Sequence, residues 1–550
     1  MRYTFLFLLV LMFSDLLSQS TDIPLNSWAY GAFDEWDVKS ETGIFTEIKP
    51  VSRKYFAEKS LETSWVESAA DKFDRTYIQN ETWEHQDSAG ILEKPLFNQF
   101  FKYPADFYAV NSGDFDLHVN PVVVLGVGKD QQGRLDELLF ENYRGLELRG
   151  TIDNKVSFYT LLTENQARYP DYIKDMTDTT HAVPYEGFWK QYNDTGVDFL
   201  RAQAYIDFNV SKHISTQFGY GKHFIGDGRR SLILSDVGNN YPYLRLNTRI
   251  WKIQYTNIFA QLVGQTEGGD FGLLGTGSFS QKYLASHHLS IKVKPNLTLG
   301  LFESVIYGDS TRGLKVEYLN PIIFYRALEQ QDGSSDNVLL GLDFKWNLFQ
   351  TISLYGQLVI DELIVSEAFS DSGWWGNKQA FQVGLKYFDV LGIDDLNVQV
   401  ELNRVRPYVY SHVDNYTSYS HYNMALAHPL GANFQEVLLS LNYRPLPKWR
   451  VQCDILLAKY GNDLGEESFG RDIMKSYNLR PPNDYGVEMF QGNQTTLNMI
   501  HGKVSYHFWH NAMIDLDATL RQETSATADL SNVVLGATLR WNFAARSYLF

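Results

Sequence analysis

Three long polar segments carry the residues whose types and spacing suit ligand binding. They are Gly219–Asp236, Val316–Asn337 and Ser420–Glu436, and each combines glycine or proline with charged residues. Arginine forks and tyrosine faces suit sugars and their acidic groups. We predict as ligand contacts Asp227, Arg229, Arg230, Asp236, Tyr325, Arg326, Asp336, Asn337, His428 and Asn433. The alternative is that these charges only hold ordered loops over the mouth of a barrel.

Arg229 and Arg230 give this prediction its sharpest form. Adjacent residues in an extended loop point apart, so the two guanidinium groups should do different work. We expect one to pair with the carboxylate of Asp227, Asp236 or Asp336 and the other to reach an anionic or hydroxyl-rich ligand. The apolar run 232–234 should tuck inward and hold the loop against the mouth.

Signals for catalysis are weak, and we predict no enzyme activity, no metal and no cofactor. The chain has no G-x-S-x-G motif, and a serine hydrolase needs an exposed nucleophile beside a histidine. His421 and His428 lie near Asn433 and Glu436, but no second matching pair completes a metal site. The carboxylate pair Asp394–Asp395 is most simply solvated charge, because a glycosidase needs two carboxylates facing each other across a sugar.

Composition excludes several classes of protein. The chain has 550 residues, of which 44% are hydrophobic and 15% aromatic, and a formal net charge of −17. That charge argues against nucleic acid as a partner, because phosphate binding requires a basic face. A single cysteine excludes an internal disulfide framework and a cysteine-based zinc site.

Residues 1–20 have the pattern of a secretory signal peptide. Arg2 precedes an apolar stretch at 5–13, and the small residues Ser18 and Ser20 suit a cleavage site before Thr21. An uncleaved anchor helix is the alternative, although the stretch is short for a span of roughly 20 residues. Residues 21–114 do not alternate in polarity. We predict a periplasmic N-terminal segment, partly helical within 57–84, that packs on or into the lower rim of a barrel.

From about residue 115 onward the hydrophobic pattern has a period of two. In the stretch 338–348, Val338, Leu342 and Trp346 alternate with Asp343 and Lys345. Alternation of this kind places one face of a strand in an apolar phase and the other on water. The same pattern recurs in 201–211, 396–403 and 532–543.

The spacing of the strands distinguishes a membrane barrel from a soluble sandwich. We predict 18 strands, near 115–127, 138–150, 155–166, 199–211, 214–224, 243–251, 252–264, 284–294, 297–307, 338–348, 351–363, 379–390, 396–409, 435–444, 449–461, 495–508, 512–524 and 531–543. Short turns alternate with long loops, which is the habit of outer-membrane barrels. The prediction is therefore an all-β chain, with residues 115–550 forming a closed antiparallel barrel in the lipid of a Gram-negative outer membrane.

Two features of the barrel stay open at the level of sequence. The inward positions carry both signs of charge, so a lumen of this width holds either water or a plug of loops and N-terminal segment. The terminal residues Tyr548 and Phe550 resemble the signal that the outer-membrane assembly machinery reads. Their parity differs from that of the preceding strand, so we expect a bulge near 544–547 or an early strand end.

The segments FIGDGRRSLILSD, YLNPIIFYR and HPLGANFQE resemble gliding-motility proteins of the RemB type from Bacteroidetes bacteria and, more distantly, the Wzi family of capsule-assembly proteins. The likeness runs from about Ser52 to the end of the chain and is weakest in the N-terminal segment. It implies an 18-stranded outer-membrane barrel with a helical periplasmic segment and a lectin-like role in holding capsular polysaccharide. The resemblance to RemB-type proteins also implies a role in gliding.

Three functions follow as candidates. The first is a surface protein that binds or anchors polysaccharide for adhesion or gliding, with envelope or gliding proteins as possible partners. The second is a solute channel or porin with a wide lumen, and the third is a hydrolase in the barrel. A plugged lumen favours the first function, and conductance in planar bilayers favours the second. We predict the first.

Overall fold

The computed structural model describes residues 20–40, 43–61, 67–86, 103–134, 136–264, 279–308, 313–333, 336–368 and 370–550. The predicted signal peptide, apart from Ser20, lies outside the described residues. Its cleavage, and the domain boundaries drawn at residues 20 and 114, therefore stay predictions.

Eighteen antiparallel strands close into one barrel, as the sequence predicted. Each strand pairs with the next along the chain, and the last pairs with the first in a register that joins Val534 to Asp130 and Trp541 to Val123. The strands are β1 Phe115–Asp130, β2 Leu139–Ile152, β3 Val156–Arg168, β4 Gly196–Ser211, β5 Ile214–Gly221, β6 Tyr241–Ile250, β7 Ile253–Val263, β8 Gln281–Lys294, β9 Leu297–Tyr307, β10 Asn337–Leu348, β11 Ile352–Glu362, β12 Lys378–Tyr387, β13 Leu396–Val405, β14 Phe434–Leu446, β15 Trp449–Asn462, β16 Asn493–Trp509, β17 Ala512–Ser525 and β18 Asp529–Trp541.

The connections alternate as expected between the two ends of the barrel. Turns of a few residues, such as 212–213 and 295–296, lie at one end, and most of the connections at the other end are long, such as 222–240 and 463–492. By the habit of outer-membrane barrels, the end with the short turns faces the periplasm. No helix in the described part of the chain has the length and hydrophobicity needed to cross a membrane.

The two faces of the strands differ as the alternation predicted. In β10 the outward side chains of Leu342 and Trp346 are 48% and 42% exposed, whereas the inward Asp343 and Lys345 are buried inside the barrel. Exposed leucine, valine and tryptophan on the outside form the apolar belt that lipid requires, and paired charges occupy the interior. The barrel is therefore of the outer-membrane type.

Three helices of the described N-terminal residues fold inside the barrel, and Tyr108–Asn111 add a short strand beside the start of β1. Helices α1 Ala29–Ser40, α2 Arg53–Ser60 and α3 Ala69–Glu81 share a core that includes Phe33, Trp36 and Phe56. Inward-facing side chains of the strands bind this segment: the Lys386 ammonium lies 2.5 Å from the Asp34 carboxylate, and the Asn347 amide donates to Asp37 at 2.8 Å. These bonds fix the helices as a plug at the periplasmic end.

Helix α3 begins with a signal that the sequence analysis did not recognise. Ser68 and Asp71 form a reciprocal capping box, in which each side chain accepts a hydrogen bond from the other residue's backbone N–H. The two groups satisfy donors that a helix start leaves unpaired, and this explains why the helix begins at Ala69.

The C-terminal residues leave the barrel wall at Trp541, so the early strand end is the alternative that the structure adopts. Residues 542–550 run into the lumen, where Leu549 and Phe550 are buried. The Tyr185 hydroxyl donates to the Ser547 carbonyl at 2.6 Å, and the Arg521 Nε donates to the Phe550 carbonyl at 3.1 Å. The terminal aromatics thus pack inside the barrel and do not belong to its last strand.

Candidate functional site

The first predicted loop, between β5 and β6, turns down into the lumen. Phe224 and Ile225 pair with Lys49 and Ile48 of the N-terminal plug in a two-stranded sheet. The apolar run Leu232–Leu234 is buried, as predicted. This loop therefore joins the plug to the barrel interior and blocks the centre of the lumen.

Arg230 is the structural member of the arginine pair. Its guanidinium donates to both carboxylate oxygens of Glu436, from Nη2 at 3.0 Å and from Nε at 3.3 Å, and it also binds the Leu549 carbonyl. His428 lies on the other side of Glu436, with Nε2 3.0 Å from the carboxylate. Burial lowers the pKa of His428 against the attraction of Glu436, so the neutral ring donates this bond.

A second carboxylate, that of Glu401, holds the backbone of the same loop. It accepts the N–H groups of Arg229 and Arg230 at 2.8 and 3.1 Å, and the Tyr355 hydroxyl at 2.8 Å. Gln382 completes the cradle by donating to the Arg230 carbonyl at 3.0 Å. Buried carboxylates are stable only when donors satisfy their oxygens, and here the loop backbone supplies those donors.

Arg229 is the more accessible of the two arginines. Its Nη2 lies 3.3 Å from the Asp454 carboxylate, and its side chain remains 31% exposed. It lines a lumenal cavity of about 510 Å³, which Arg450 and Lys503 also line. The prediction that one arginine pairs with a carboxylate as a structural group agrees with Arg230, and ligand contact by the other arginine stays a prediction. The predicted partners were wrong, because the carboxylates come from Glu436 and Asp454 of the wall and not from Asp227, Asp236 or Asp336.

Asp227 and Asp236 have other partners. Asp227 lies 3.7 Å from the Lys345 ammonium, and burial raises the pKa of its carboxyl. Asp236 accepts a bond of 2.5 Å from Asn26 of the plug. Lys222 donates to the carbonyls of Tyr185, Asp236 and Gly238 at 2.7 to 3.1 Å, and burial lowers the pKa of Lys222 to about 8. These groups fasten the loop to its surroundings.

Two predicted asparagines join loops at the extracellular end. The Asn433 amide donates to the carbonyls of Gly461, Phe469 and Gln491, and its oxygen accepts the Phe490 N–H at 2.7 Å. Asn337 donates to the Thr417 carbonyl at 3.0 Å. Both side chains are buried and use their hydrogen-bonding groups on backbone, so they position loops.

The second predicted loop does not fold over the mouth, which corrects the expectation for Val316–Asn337. Helix α4, Asp171–Thr180, lies in the β3–β4 connection. Helix α5, Tyr325–Asp332, packs against the outer surface of the barrel, where Tyr325 contacts the His287 ring at a centroid distance of 4.1 Å. Asp336 binds Lys315 and the Tyr318 hydroxyl of the same loop. The barrel wall thus separates Tyr325 and Arg326 from the lumenal residues, so the ten predicted residues do not form one site.

Burial decides how these residues can act. Eight of the ten side chains are buried, and Arg229 and Arg326 are the two that are not. The geometry favours the alternative in which most of the predicted charges hold loops in place. Contact with a ligand stays a prediction for the set, and Arg229 is its best placed lumenal member.

A group of aromatic side chains at the extracellular end was not among the residues predicted from the sequence. Trp375 lies 4.9 Å from Tyr477 and 6.1 Å from Trp374 between ring centroids. The Arg480 guanidinium stacks 4.1 Å from the Trp375 ring, and the Lys378 ammonium lies 4.6 Å from the Tyr477 ring. We call these five residues the ring platform. The signal in the sequence was two consecutive tryptophans between Gly373 and Gly376.

Backbone hydrogen bonds between two loops support the ring platform. Trp375 donates to the Asp484 carbonyl at 2.9 Å, and Gly486 and Val487 donate to the carbonyls of Ser372 and Gly373 at 2.9 Å. Backbone hydrogen bonds therefore join the β11–β12 loop to the β15–β16 loop, in the way that neighbouring strands of a sheet are joined. Rings held in this way present a fixed surface, and their side chains lose little conformational entropy when a ligand binds.

Comparison with known proteins relates the fold to that of outer-membrane β-barrels. No protein-family model and no curated protein matches the chain. The structure is similar to that of Wzi from Escherichia coli, an outer-membrane protein involved in group 1 capsule assembly and a carbohydrate-binding β-barrel, with a TM-score of 0.57 and 14% identity over 96% of this chain and 100% of that one. The outer-membrane protein OprD from Pseudomonas aeruginosa matches with a TM-score of 0.41 and 8% identity over 77% of this chain and 92% of that one.

The likeness to Wzi concerns the fold: the chain is a closed 18-stranded β-barrel of the kind found in Gram-negative outer membranes. The resemblance of its loop motifs to gliding-motility proteins stays a prediction.

Proposed function

We propose that this barrel binds surface polysaccharide at its extracellular end and anchors it at the cell, in support of adhesion or gliding. The observation that carries the proposal is the ring platform. Sugar rings offer apolar C–H faces and polar hydroxyl edges, and the tryptophan and tyrosine rings beside Arg480 provide matching surfaces for both. Lys378 is buried and paired with Asp361 and Glu362, so it supports the rings from below. The carbohydrate-binding property of Wzi, a barrel of the same fold, supports the same assignment.

Obstruction of the lumen favours binding over transport of solutes. Inside the barrel, the loop between β5 and β6 contacts both the N-terminal plug, at Ile48 and Lys49, and the C-terminal residues, at the Leu549 carbonyl. A lumenal cavity of about 510 Å³ is lined by charged side chains from several of these segments. An anchor has no need for an open path, whereas a channel of this diameter requires one.

Substitutions in the ring platform test the proposal. We expect Trp374→Ala and Arg480→Ala to reduce retention of purified surface polysaccharide by the folded protein at least tenfold, since each removes a stacking or charged contact. Trp251→Ala is the matched control, because Trp251 is 83% exposed in a short turn at the opposite end of the barrel. Equal retention by all three variants and the parent would overturn the platform as the binding site.

The channel alternative has a separate test. Purified protein in planar bilayers should give no steady conductance, because the described segments obstruct the lumen. A stable open-channel current that disappears on heat denaturation would establish the second function instead. Loss of cell gliding or adhesion in the Trp374→Ala strain, with the barrel present at normal level, would support the biological role.

A further inference from the structure

One row of side chains on the outward face of β7, β8 and β9 is polar, where lipid requires apolar groups. Asn257, His287 and Glu303 lie side by side in the strand register, and Glu303 pairs with Leu340 of β10. All four belong to the set of positions that points away from the lumen, as the exposed Leu301 and Leu342 on the same faces show. A polar row therefore crosses a surface that elsewhere is apolar.

This row lies at the depth of the lipid hydrocarbon. Trp346 is exposed on the outward face of β10, two residues before the strand ends at a short turn, where the aromatic girdle at the periplasmic edge of the apolar belt belongs. With ~3.3 Å per residue and a strand tilt of ~40°, Leu340 lies about 15 Å above Trp346 along the membrane normal. The apolar belt of such barrels is about 25 Å tall, so Glu303 falls inside it. A bare carboxylate is costly there.

Residues 313–333, which we call the outer-wall segment, cover the row. The Tyr255 hydroxyl and the Asn257 amide donate to the Pro321 carbonyl at 2.5 and 3.1 Å. The Glu303 carboxylate accepts the N–H groups of Tyr325 and Arg326 at 2.8 and 2.9 Å, so it binds the start of helix α5. These bonds leave Asn257, His287 and Glu303 buried.

Apolar contacts complete the attachment of the outer-wall segment. Tyr318 and Tyr325 pack in one cluster with Phe259, Val305 and Tyr307 of the wall. The buried side chains bind the segment to the barrel, while its opposite surface faces away from the protein. On that surface Ile322 is 81% exposed, Phe324 74% and Val316 72%.

We propose that the outer-wall segment lies in the outer leaflet of the membrane and replaces the barrel wall as the lipid-contacting surface on this side, with Ile322 and Phe324 among the acyl chains. Its exposed apolar side chains continue the belt formed by Leu301 and Leu342 below it. Exposed polar residues of helix α5, including Arg326 and Gln330, suit the headgroup level, as in an interfacial amphipathic helix.

Quenching by brominated lipid tests this placement. Single cysteines I322C and F324C, made in a Cys453→Ala background, are labelled with bimane, and the folded barrels are reconstituted into phosphatidylcholine vesicles with or without bromine on the acyl chains. L301C on the bare wall is the positive control. Y485C in an extracellular loop, where Tyr485 is 55% exposed, is the negative control.

We expect brominated chains to quench bimane at 322 and 324 as strongly as at 301, and at least threefold more than at 485. Quenching at 322 and 324 no greater than at 485 would overturn the proposal. Formation of I322C disulfide dimers at high lipid-to-protein ratio would also overturn it, because a second copy of the chain would then be the partner. Heat-modifiability on gels confirms that every variant is folded.

Discussion

At the scale of single residues, adjacent arginines in one loop have different surroundings. Arg230 is buried between Glu436 and the C-terminal residues, whereas Arg229 reaches the cavity and pairs with Asp454 at 3.3 Å. A buried ion pair costs desolvation of both charges, so removal of one partner leaves the other charge uncompensated. The Arg229–Asp454 pair differs, because Arg229 is partly open to water and the buried Asp454 carboxylate also accepts hydrogen bonds from Ser440 and Gln452.

Arg230→Ala should therefore destabilise the folded barrel by about 3–5 kcal/mol, as expected for a broken buried pair. Arg229→Ala should cost less, because Arg229 is partly exposed and Ser440 and Gln452 still donate to the buried Asp454 carboxylate. The measurement is the temperature at which the folded band converts to the unfolded band on a gel. Polysaccharide retention is measured on the same samples. Loss of retention in Arg229→Ala with a normal conversion temperature would assign a ligand contact to Arg229, and equal conversion temperatures for both variants would contradict the structural role of Arg230.

At the scale of elements, helix α1 docks on the periplasmic turn before β13 through closely spaced carboxylates. Oxygens of Glu35, Asp71 and Asp395 lie within 4.8 Å of one another, and the Lys39 ammonium is 2.6 Å from Glu35. Burial, opposed by Lys39 and assisted by Asp71, raises the pKa of Glu35 from 4.5 to about 7. Burial also raises the pKa of Asp395 from 3.8 to about 6.

The pH dependence of plug docking follows from these raised pKa values. Between about pH 4 and pH 7 the folded protein binds more protons than the unfolded chain, so stability falls as pH rises through this window. We expect the gel conversion temperature of the parent to be higher at pH 5 than at pH 8. The double variant Glu35→Gln with Asp395→Asn should flatten that difference. Asp371→Asn, in an exposed extracellular loop, should leave the difference unchanged.

The C-terminal residues form a second element with a lumenal role. Strand β18 ends at Trp541, so barrel closure does not use residues 544–550. Deletion of these residues should leave a barrel that inserts in the outer membrane. The loop between β5 and β6 should become sensitive to protease added to solubilised barrels, because Arg230 and Tyr185 lose their carbonyl partners.

The double variant Tyr548→Ala with Phe550→Ala removes the packing of the terminal aromatic rings but keeps the length of the chain, which the deletion does not. It should give a weaker form of the same effect. Failure of the deletion variant to reach the outer membrane would instead support the assembly signal that the terminal aromatics resemble.

At the scale of the whole molecule, the alternation of turns and loops fixes the orientation of the barrel. The first barrel strand begins at Phe115 and the last one ends at Trp541, and both residues lie on the side of the barrel that has the short turns. An epitope tag inserted within 463–492 should be labelled by antibody on intact cells, and one at 391–395 should be labelled only after the outer membrane is permeabilised. The reverse pattern would contradict the orientation.

The sequence alone determined the barrel. Strict alternation in segments such as 338–348 and 532–543 predicts strands with one lipid face, and the rhythm of short and long connections predicts 18 of them around a closed sheet. Alternation is a local property that every barrel strand must satisfy separately, and so it can be recognised without knowledge of the partners. The burial of Leu232–Leu234 was predictable for a similar reason, since an apolar run in a polar loop requires cover.

The tertiary structure alone decided the positions of the loops and the residues with which their charged side chains pair. Arg230 pairs with Glu436, 206 residues away, and Glu303 of the outer wall binds the first turn of helix α5. Ion pairs between segments distant in sequence depend on the closed geometry of the barrel, and charge alone does not identify which of many carboxylates will be near. For the same reason the segment 316–337, polar and glycine-containing like the lumenal loops, gave no sign that it lies outside the wall. Only the positions of Asn257, His287 and Glu303 on the lipid side explain that placement, because three polar side chains there require a protein cover.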